Sequence, residues 1–547
     1  MNREELNLKK LLLVSIGILL ITALFLVGCS SSTTTTQQTT TTTQQSTTTS
    51  ASQTSASTTL AHNTGGIFKQ YINEPFCLGY PATMTGQTDG QSAQFALETL
   101  FVYDPQGNIT PLLATGYTVD APTKTILISL RKDVKFHDGS DFNADVCKWN
   151  LDQYRAGVRA ELKSVSSVDV VDEYTVKLTL STFDSTIMDA LCNGADAGRM
   201  ISQTAFDAHG TGKDAQTWAE KNPVGTGPWQ FVSWTKDVGI KFERFDGYWD
   251  GKPYLDGIEL VRFSDFTAAL MAFKSGQLSV FPVSMVSPSD VAPMQAEGSW
   301  NWSTTPIGQV PALAGAADDP YFSQLKVRQA MSYAIDTAGL NAGIGKGLWI
   351  ESNQWAIPGT WGFNPDVVGY PYNPEKAKQL LAEAGYPDGI NTVMHFYNSG
   401  GSQTDLMTAI QSQLKAVGIN ADLDPMLRPA FVDIASAGKG FTGIVCMQGN
   451  AMTNPLLKFA QVRAGNEFTG VLVSDHFKQV YDQARQASDQ ETMQNLVREM
   501  MKISIDEDCM HVPLGINAII YSKSKTLHDD EFGEIPNNYL SPKAWME

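Results

Sequence analysis

The histidines, cysteines and paired carboxylates are the residues with which this chain could do chemistry, and their spacing argues against catalysis. Seven histidines are scattered along it: His62, His137, His209, His395, His476, His511 and His528. No two stand at metal-ligand spacing and no HExxH helix occurs, so neither a zinc site nor a metal-activated water is expected. The six cysteines (Cys29, Cys77, Cys147, Cys192, Cys446 and Cys509) contain no CxxC, and their spacing names no disulfide pair. No G-x-S-x-G elbow presents a nucleophilic serine. The carboxylates Asp318-Asp319 and Asp529-Asp530 read as solvated loop charges. Gly225-Thr226-Gly227 has the glycines of a phosphate loop, but no helix start with Lys-Ser/Thr follows, so it reads as a structural loop. No enzyme activity, no cofactor and no metal are expected.

One cysteine has a different chemistry. Arg3, Lys9 and Lys10 precede an apolar run from Leu11 to Leu26, which is short of the about 20 residues a permanent span needs. The run ends in Leu26-Val27-Gly28-Cys29, which resembles a bacterial lipobox, where the thiol is alkylated with diacylglycerol and a peptidase cuts just before it. Residues 1–29 therefore read as a lipoprotein signal segment with Cys29 as the lipidation site; the alternative is an uncleaved N-terminal anchor. Either leaves the folded part on the outer face of the cytoplasmic membrane, extracellular or periplasmic. With Cys29 lipidated, five cysteines remain, so at least one thiol is unpaired. Residues 30–64, rich in Ser, Thr and Gln, cannot bury a core and read as a disordered tether, with a reach of roughly 30 Å. A net charge of −18 argues against nucleic acid. The 547 residues are too many for one core, and 42% hydrophobic content is ample for several.

The elements can be read from periodicity. Ile126, Ile128 and Leu130 alternate with Leu127, Ser129 and Arg131, a strand with at least one buried face. His137-Asp138-Gly139-Ser140 is turn chemistry, and Asn143 stands at an N-cap with Asp145 in the first helical turn. Ser167 to Leu180 predicts a strand pair. Val327, Ala330, Met331, Ala334 and Ile335 mark one buried helix face. Asn373-Pro374-Glu375 starts a helix that Gly385 closes. Leu406, Ile410, Leu414 and Val417 form another, and Ser488-Asp489-Gln490-Glu491 is a capping box.

The run from Leu130 to Val146 resembles the signature "L-R-x-G-V-x-F-H-D-G-x-x-x-x-A-x-D-V" of the extracellular solute-binding proteins, family 5, the oligopeptide, dipeptide and nickel receptors of ABC importers. Asp133 stands where the signature has glycine, and one residue is missing between Ala144 and Asp145. Asn222-Pro223-Val224-Gly225-Thr226-Gly227-Pro228-Trp229 is similar to the family's "N-P-V-G-T-G-P-[YFW]", and Lys326 to Asp336 to its "x-V-R-Q-A-[LM]-x-x-A-[IV]-[DN]".

This resemblance implies an α/β, two-lobed periplasmic-binding-protein-like fold of type II, in the large peptide-receptor cluster. Lobe I would comprise 65–304 and 511–547, with an extra subdomain over about 96–221; lobe II would be 305–510, with a hinge near 304 and 511. A solute would bind between the lobes, as pocket statistics favour, and pass to ABC permease subunits; the receptor itself would be a monomer. The family also implies the site. Phe76, Cys77 and Leu78 follow the first strand, and Trp355 lies in a cleft-side loop. Peptide receptors hold the ligand's α-amine with an aspartate in "W-x-x-D-Y-x-D-P"; here Met447 replaces the Trp and Asn450 the Asp. An amide cannot neutralise an ammonium, and a buried unpaired charge is expensive. An unmodified oligopeptide therefore fits poorly at Asn450, and a ligand that is neutral there or accepts from its NH₂ fits better, unless the segment is a rearranged loop. The solute is expected to be peptide-like or another small solute, with a metal chelate or a sugar as the runner-up. A non-transport surface sensor, adhesin or chaperone on the same scaffold is the alternative.

Overall fold

A computed structural model describes residues 64–84, 87–157, 159, 161–398, 401–435, 440–451, 454–463, 470–529, 532–534 and 540–547. The proposed signal segment, Cys29 and the tether up to residue 63 lie outside the described residues. Among the described residues no helix is long and apolar enough to cross a membrane.

The described residues open with β1 (Ile67–Tyr71) and then enter the subdomain. There a hairpin, β2 (Phe101–Tyr103) and β3 (Ile109–Pro111), precedes four strands: β4 (Ala114–Asp120), β5 (Thr125–Leu130), β6 (Val165–Asp172) and β7 (Thr175–Leu180). The four form an antiparallel sheet in the order β4-β5-β7-β6. On β5 the alternation holds: Ile126, Ile128 and Leu130 are buried and Leu127 is exposed. Helix Ala144–Ala156 follows, capped by the Asn143 side chain, which accepts from the Val146 N–H, and buries Cys147, Leu151 and Tyr154 in the subdomain core.

The signature turn has a structural role. His137 is buried, and burial lowers its pKa to about 4, so the ring is neutral. Its Nε2–H donates to Gly227 O (2.9 Å), while its backbone N–H donates to Gly225 O (2.9 Å). The two family-like segments thus lock together. A side chain at Gly225 or Gly227 would run into the backbone of Ala96, which is why the loop carries glycines. Behind it, the buried Glu98 carboxylate accepts from Thr226 Oγ1 (2.8 Å), Tyr248 Oη (2.7 Å) and Trp249 Nε1 (2.9 Å). Asp133 adopts φ +60°, so the signature glycine's left-handed conformation is retained by a residue type that tolerates it.

Beyond the subdomain run β8 (Trp229–Thr235), β9 (Gly239–Arg244), β10 (Gly257–Val261), β11 (Val280–Pro282) and the long β12 (Asn301–Gly315). They are followed by β13 (Ile390–Tyr397), β14 (Ile419–Met426), β15 (Ile444–Ala451), β16 (Val512–Pro513) and β17 (Asn517–Lys523). These and β1 make one continuous sheet, β14-β13-β15-β12-β17-β11-β1-β10-β9-β8, with β16 paired to β12. β12 serves both lobes. Asn301–Thr304 pair with β17, the register shifts between Thr304 and Gly308, and Gly308–Gly315 pair with β15. Helices predicted from their stripes flank the lobe II part: Leu325–Tyr333, Pro374–Glu383, Gly401–Ala416 and Gln490–Lys502.

Val512 and Leu514 pack in one core with Leu313 and Ile444, and Ile516 in another with Val310 and Val445, whereas Ile520 packs with Tyr71 and Phe281, and Tyr521 with Phe68 and Val280. The short β16 pairs with β12 before the chain turns at Gly515. One expectation needs correction: the carboxylates are not uniformly solvated. Asp319 is buried and accepts from the N–H groups of Tyr321, Phe322 and Gly443; Asp529 is buried and accepts from the Phe532 N–H. Both tie loops, a use of Asp that turn chemistry explains. Asp530 lies outside the described residues. Cys77, Cys147, Cys192, Cys446 and Cys509 are free and buried.

Candidate functional site

β15 sits between β12 and β13 and carries two of the expected site residues. Met447 is buried with Trp355, Val310 and Leu456 in one lobe II core. Asn450 pairs in register with Gln309 of β12; its side chain lies outside the described residues. Between them Gly449 supports the Trp355 indole so closely that a Cβ there would overlap the ring. β-branched and larger residues are the usual choice in a buried strand, so a glycine here marks a close approach.

Trp355 is the centre of a polar cluster in an apolar setting. Its indole Nε1–H meets His511 Nε2, with the rings edge-on and their centroids 4.9 Å apart. The Lys458 Nζ lies 5.4 Å from the Trp355 ring centroid, a cation–π arrangement. All three are almost fully buried. Burial, helped by the Lys458 charge, lowers the His511 pKa to about 3. The imidazole is therefore neutral, and since an indole N–H can only donate, its proton sits on Nδ1.

Lobe I meets lobe II beside this cluster. Asp189, on the short helix Ile187–Ala190, accepts from Tyr103 Oη (2.8 Å) within its own subdomain and from Asn454 Nδ2 (2.9 Å) of lobe II. Asn454 Oδ1 in turn accepts from the Leu456 N–H (2.9 Å), which aims the amide NH₂ at Asp189. Burial raises the Asp189 pKa to about 6. Nearby, Asp184 forms an ion pair with Arg485, and the Ser185 N–H donates to Arg485 O (2.9 Å). On the other side of the contact Trp361 Nε1 donates to Gly107 O (2.9 Å). The subdomain therefore contacts this part of the chain through directed polar bonds.

Of the six residues expected to touch ligand, the structure brings Trp355 and Met447 together and puts the backbone of Asn450 on the same strand. Phe76, Cys77 and Leu78 belong to lobe I. The Phe76 and Cys77 N–H groups donate to Asp89 Oδ1, which fixes the loop. Phe76 is 75% exposed, whereas the Cys77 and Leu78 side chains are in the lobe I core. Cys77 Sγ donates to Tyr80 O (3.4 Å), and burial raises the thiol pKa to about 11, which keeps it protonated at neutral pH. His511, Lys458, Asn454 and Asp189 were not singled out as site residues. Asn454 stands in the segment that resembles the peptide receptors' amine-binding motif; Asp189 has no local signal. A cavity of about 340 Å³ has His511 in its lining and includes none of Asp184, Asp189, Asn454 and Arg485.

Comparison with known proteins agrees with this architecture. The model of the bacterial extracellular solute-binding proteins, family 5 Middle, matches residues 108–456. The glutathione-binding protein GsiB of Salmonella paratyphi A is 31% identical over 460 residues, covering 78% of this chain and 84% of that protein. GsiB of Salmonella choleraesuis is 32% identical over 342 residues, 60% of this chain, and the match spans 63% of that relative's length. The structure of HbpA2 from Haemophilus parasuis superposes with a TM-score of 0.77 at 21% identity, covering 88% of this chain and 99% of that one. The chain belongs to the bacterial extracellular solute-binding proteins, family 5, with their type II, two-lobed α/β fold.

Proposed function

We propose that this protein is the solute-capturing receptor of an ABC importer, anchored by lipid at Cys29 on the outer face of the cytoplasmic membrane and acting as a monomer. It captures a small peptide-like solute between its lobes and delivers it to the permease. The observation that carries this reading is the set of bonds joining Asp189 to Asn454 and Asp184 to Arg485, with the buried Trp355 packed on Gly449. A solute that touches both lobes adds to those bonds only in the closed form, so it shifts the equilibrium toward closure by its differential affinity. The relatives named for glutathione binding support a short peptide-like ligand. Phe76, Trp355, Met447 and Asn450 are the positions assigned to its surroundings, with Cys77 and Leu78 holding Phe76 in place from the core.

The test is isothermal titration of the chain lacking residues 1–29 against glutathione and a panel of di- and tripeptides. The reading expects at least one member to bind at micromolar affinity or better, and Gly449→Val to abolish it. Complete silence across the panel, with uptake of the same solutes unchanged when the chain is deleted from its host, refutes it.

A further inference from the structure

The cavity in lobe II is lined by parts of the helices that begin at Leu325 and Thr337, the loop from Trp349 to Asn353, the loop from Val368 to Tyr372, and the 511–515 turn. Its volume of about 340 Å³ falls in the range of small-molecule sites. Its walls are mostly apolar and aromatic, with Ile335, Phe363 and Ile505 among them, and Val368 and Tyr372 are exposed at its rim. Glu351 is the only formally charged side chain among the lining residues.

His511 gives the cavity a directed polar group. The ring lines it and is 5% exposed. Its Nε2 is occupied by the Trp355 indole N–H, so the proton is on Nδ1. Nδ1 has no hydrogen-bond partner among the described residues and is not a sealed, unsatisfied atom. Because His511 lines the cavity, an acceptor carried by a ligand there is within reach of this donor.

We propose that this cavity is a second ligand site, distinct from the interlobe cleft, taking a compact uncharged molecule whose carbonyl-type oxygen accepts from His511 Nδ1–H while its apolar body lies against Ile335 and Phe363. Glu351 selects against a carboxylate in the same place. His511 also meets Trp355, which rests on Gly449. Occupancy therefore fixes, from behind, the indole that faces β15.

The experiment uses the chain lacking residues 1–29 with ¹⁵N-labelled histidine, and benzamide, benzoate and toluene as probes. Benzamide at millimolar concentration is expected to shift the His511 Nδ1–H resonance, and benzoate to bind at least about tenfold more weakly, a difference of about 1.4 kcal/mol. Toluene is expected to leave the Nδ1–H undisturbed. Thr337→Trp, an exposed lining position outside the core, is expected to abolish the benzamide shift while leaving the thermal midpoint and the ¹⁵N spectrum of the other histidines unchanged. No benzamide shift at His511, a shift that survives Thr337→Trp, or benzoate binding as tightly as benzamide overturns the proposal.

Discussion

Acidification is predicted to tighten solute binding, and Asp189 sets the size of the effect. In the closed arrangement burial holds its carboxyl at about 6, against an ordinary value of 3.8. On the proposed mechanism, opening admits water and removes the desolvation that raises the pKa, which returns the group toward 3.8. The closed form therefore binds the proton more tightly than the open one. The sign follows: the contribution of this group to closure is fully present below pH 3.8 and is lost as pH rises through about 6. Between those limits the difference of about 2 pKa units corresponds to ~3 kcal/mol at 1.36 kcal/mol per unit. Over the accessible interval from about pH 7 to about pH 5, the same two values give roughly a tenfold gain in closure and hence in affinity. The assay is calorimetric affinity for a bound solute at both pH values, in the wild type and in Asp189→Asn. The wild type should gain several-fold on acidification and the variant should be flat. A wild type that is flat, or a variant that keeps the gain, refutes the reasoning.

Other perturbations separate closure from folding. Glu98 lies wholly within lobe I, and burial raises its pKa to about 7 from 4.5; its stabilisation is present below 4.5 and lost as pH rises through 7. The thermal midpoint should therefore fall between mildly acid and mildly alkaline pH by the equivalent of up to ~3 kcal/mol, and Glu98→Gln should remove that slope without flattening the pH dependence of binding. Arg485→Met removes the Asp184 ion pair at a partly exposed position; about 0.5–1 kcal/mol of closure is expected to go, read as a few-fold rise in Kd with little change in thermal midpoint. Gly449→Ala forces the Trp355 ring from its seat and should cost about 1–3 kcal/mol in stability by denaturant unfolding, together with loss of solute binding; an unaltered unfolding curve would show that the ring is free to move.

How much of this was legible in the sequence depended on how local the cause was. The β5 alternation, the His137–Ser140 turn and the Asn143 cap lie within a few residues of one another, and each has the form its residue types dictate. The tie between that turn and the Gly225–Gly227 loop was invisible as a contact but present as two family-like motifs, because both must keep their shape to meet. Asp319 misled: beside Asp318 it looks like a surface charge, and only the fold brings the Gly443 N–H, 124 positions away, to its carboxylate. The candidate site lay at the same limit. Trp355 and His511 are 156 positions apart and Asp189 and Asn454 are 265 apart. No periodicity links such pairs; strand order in the large sheet and the closing of one lobe on the other create them. Cys77 and Leu78 show the converse, since a segment read as a ligand contact turns these two side chains into the core.

The central claim, that the two lobes close on a captured solute, is tested most directly by native mass spectrometry of the chain lacking residues 1–29, purified from its own envelope before and after gentle unfolding. The account predicts an added mass of peptide-like size that is present in the folded protein and lost on unfolding. A bare polypeptide mass in both states, from a protein that neither glutathione nor any short peptide stabilises against heat, would contradict it.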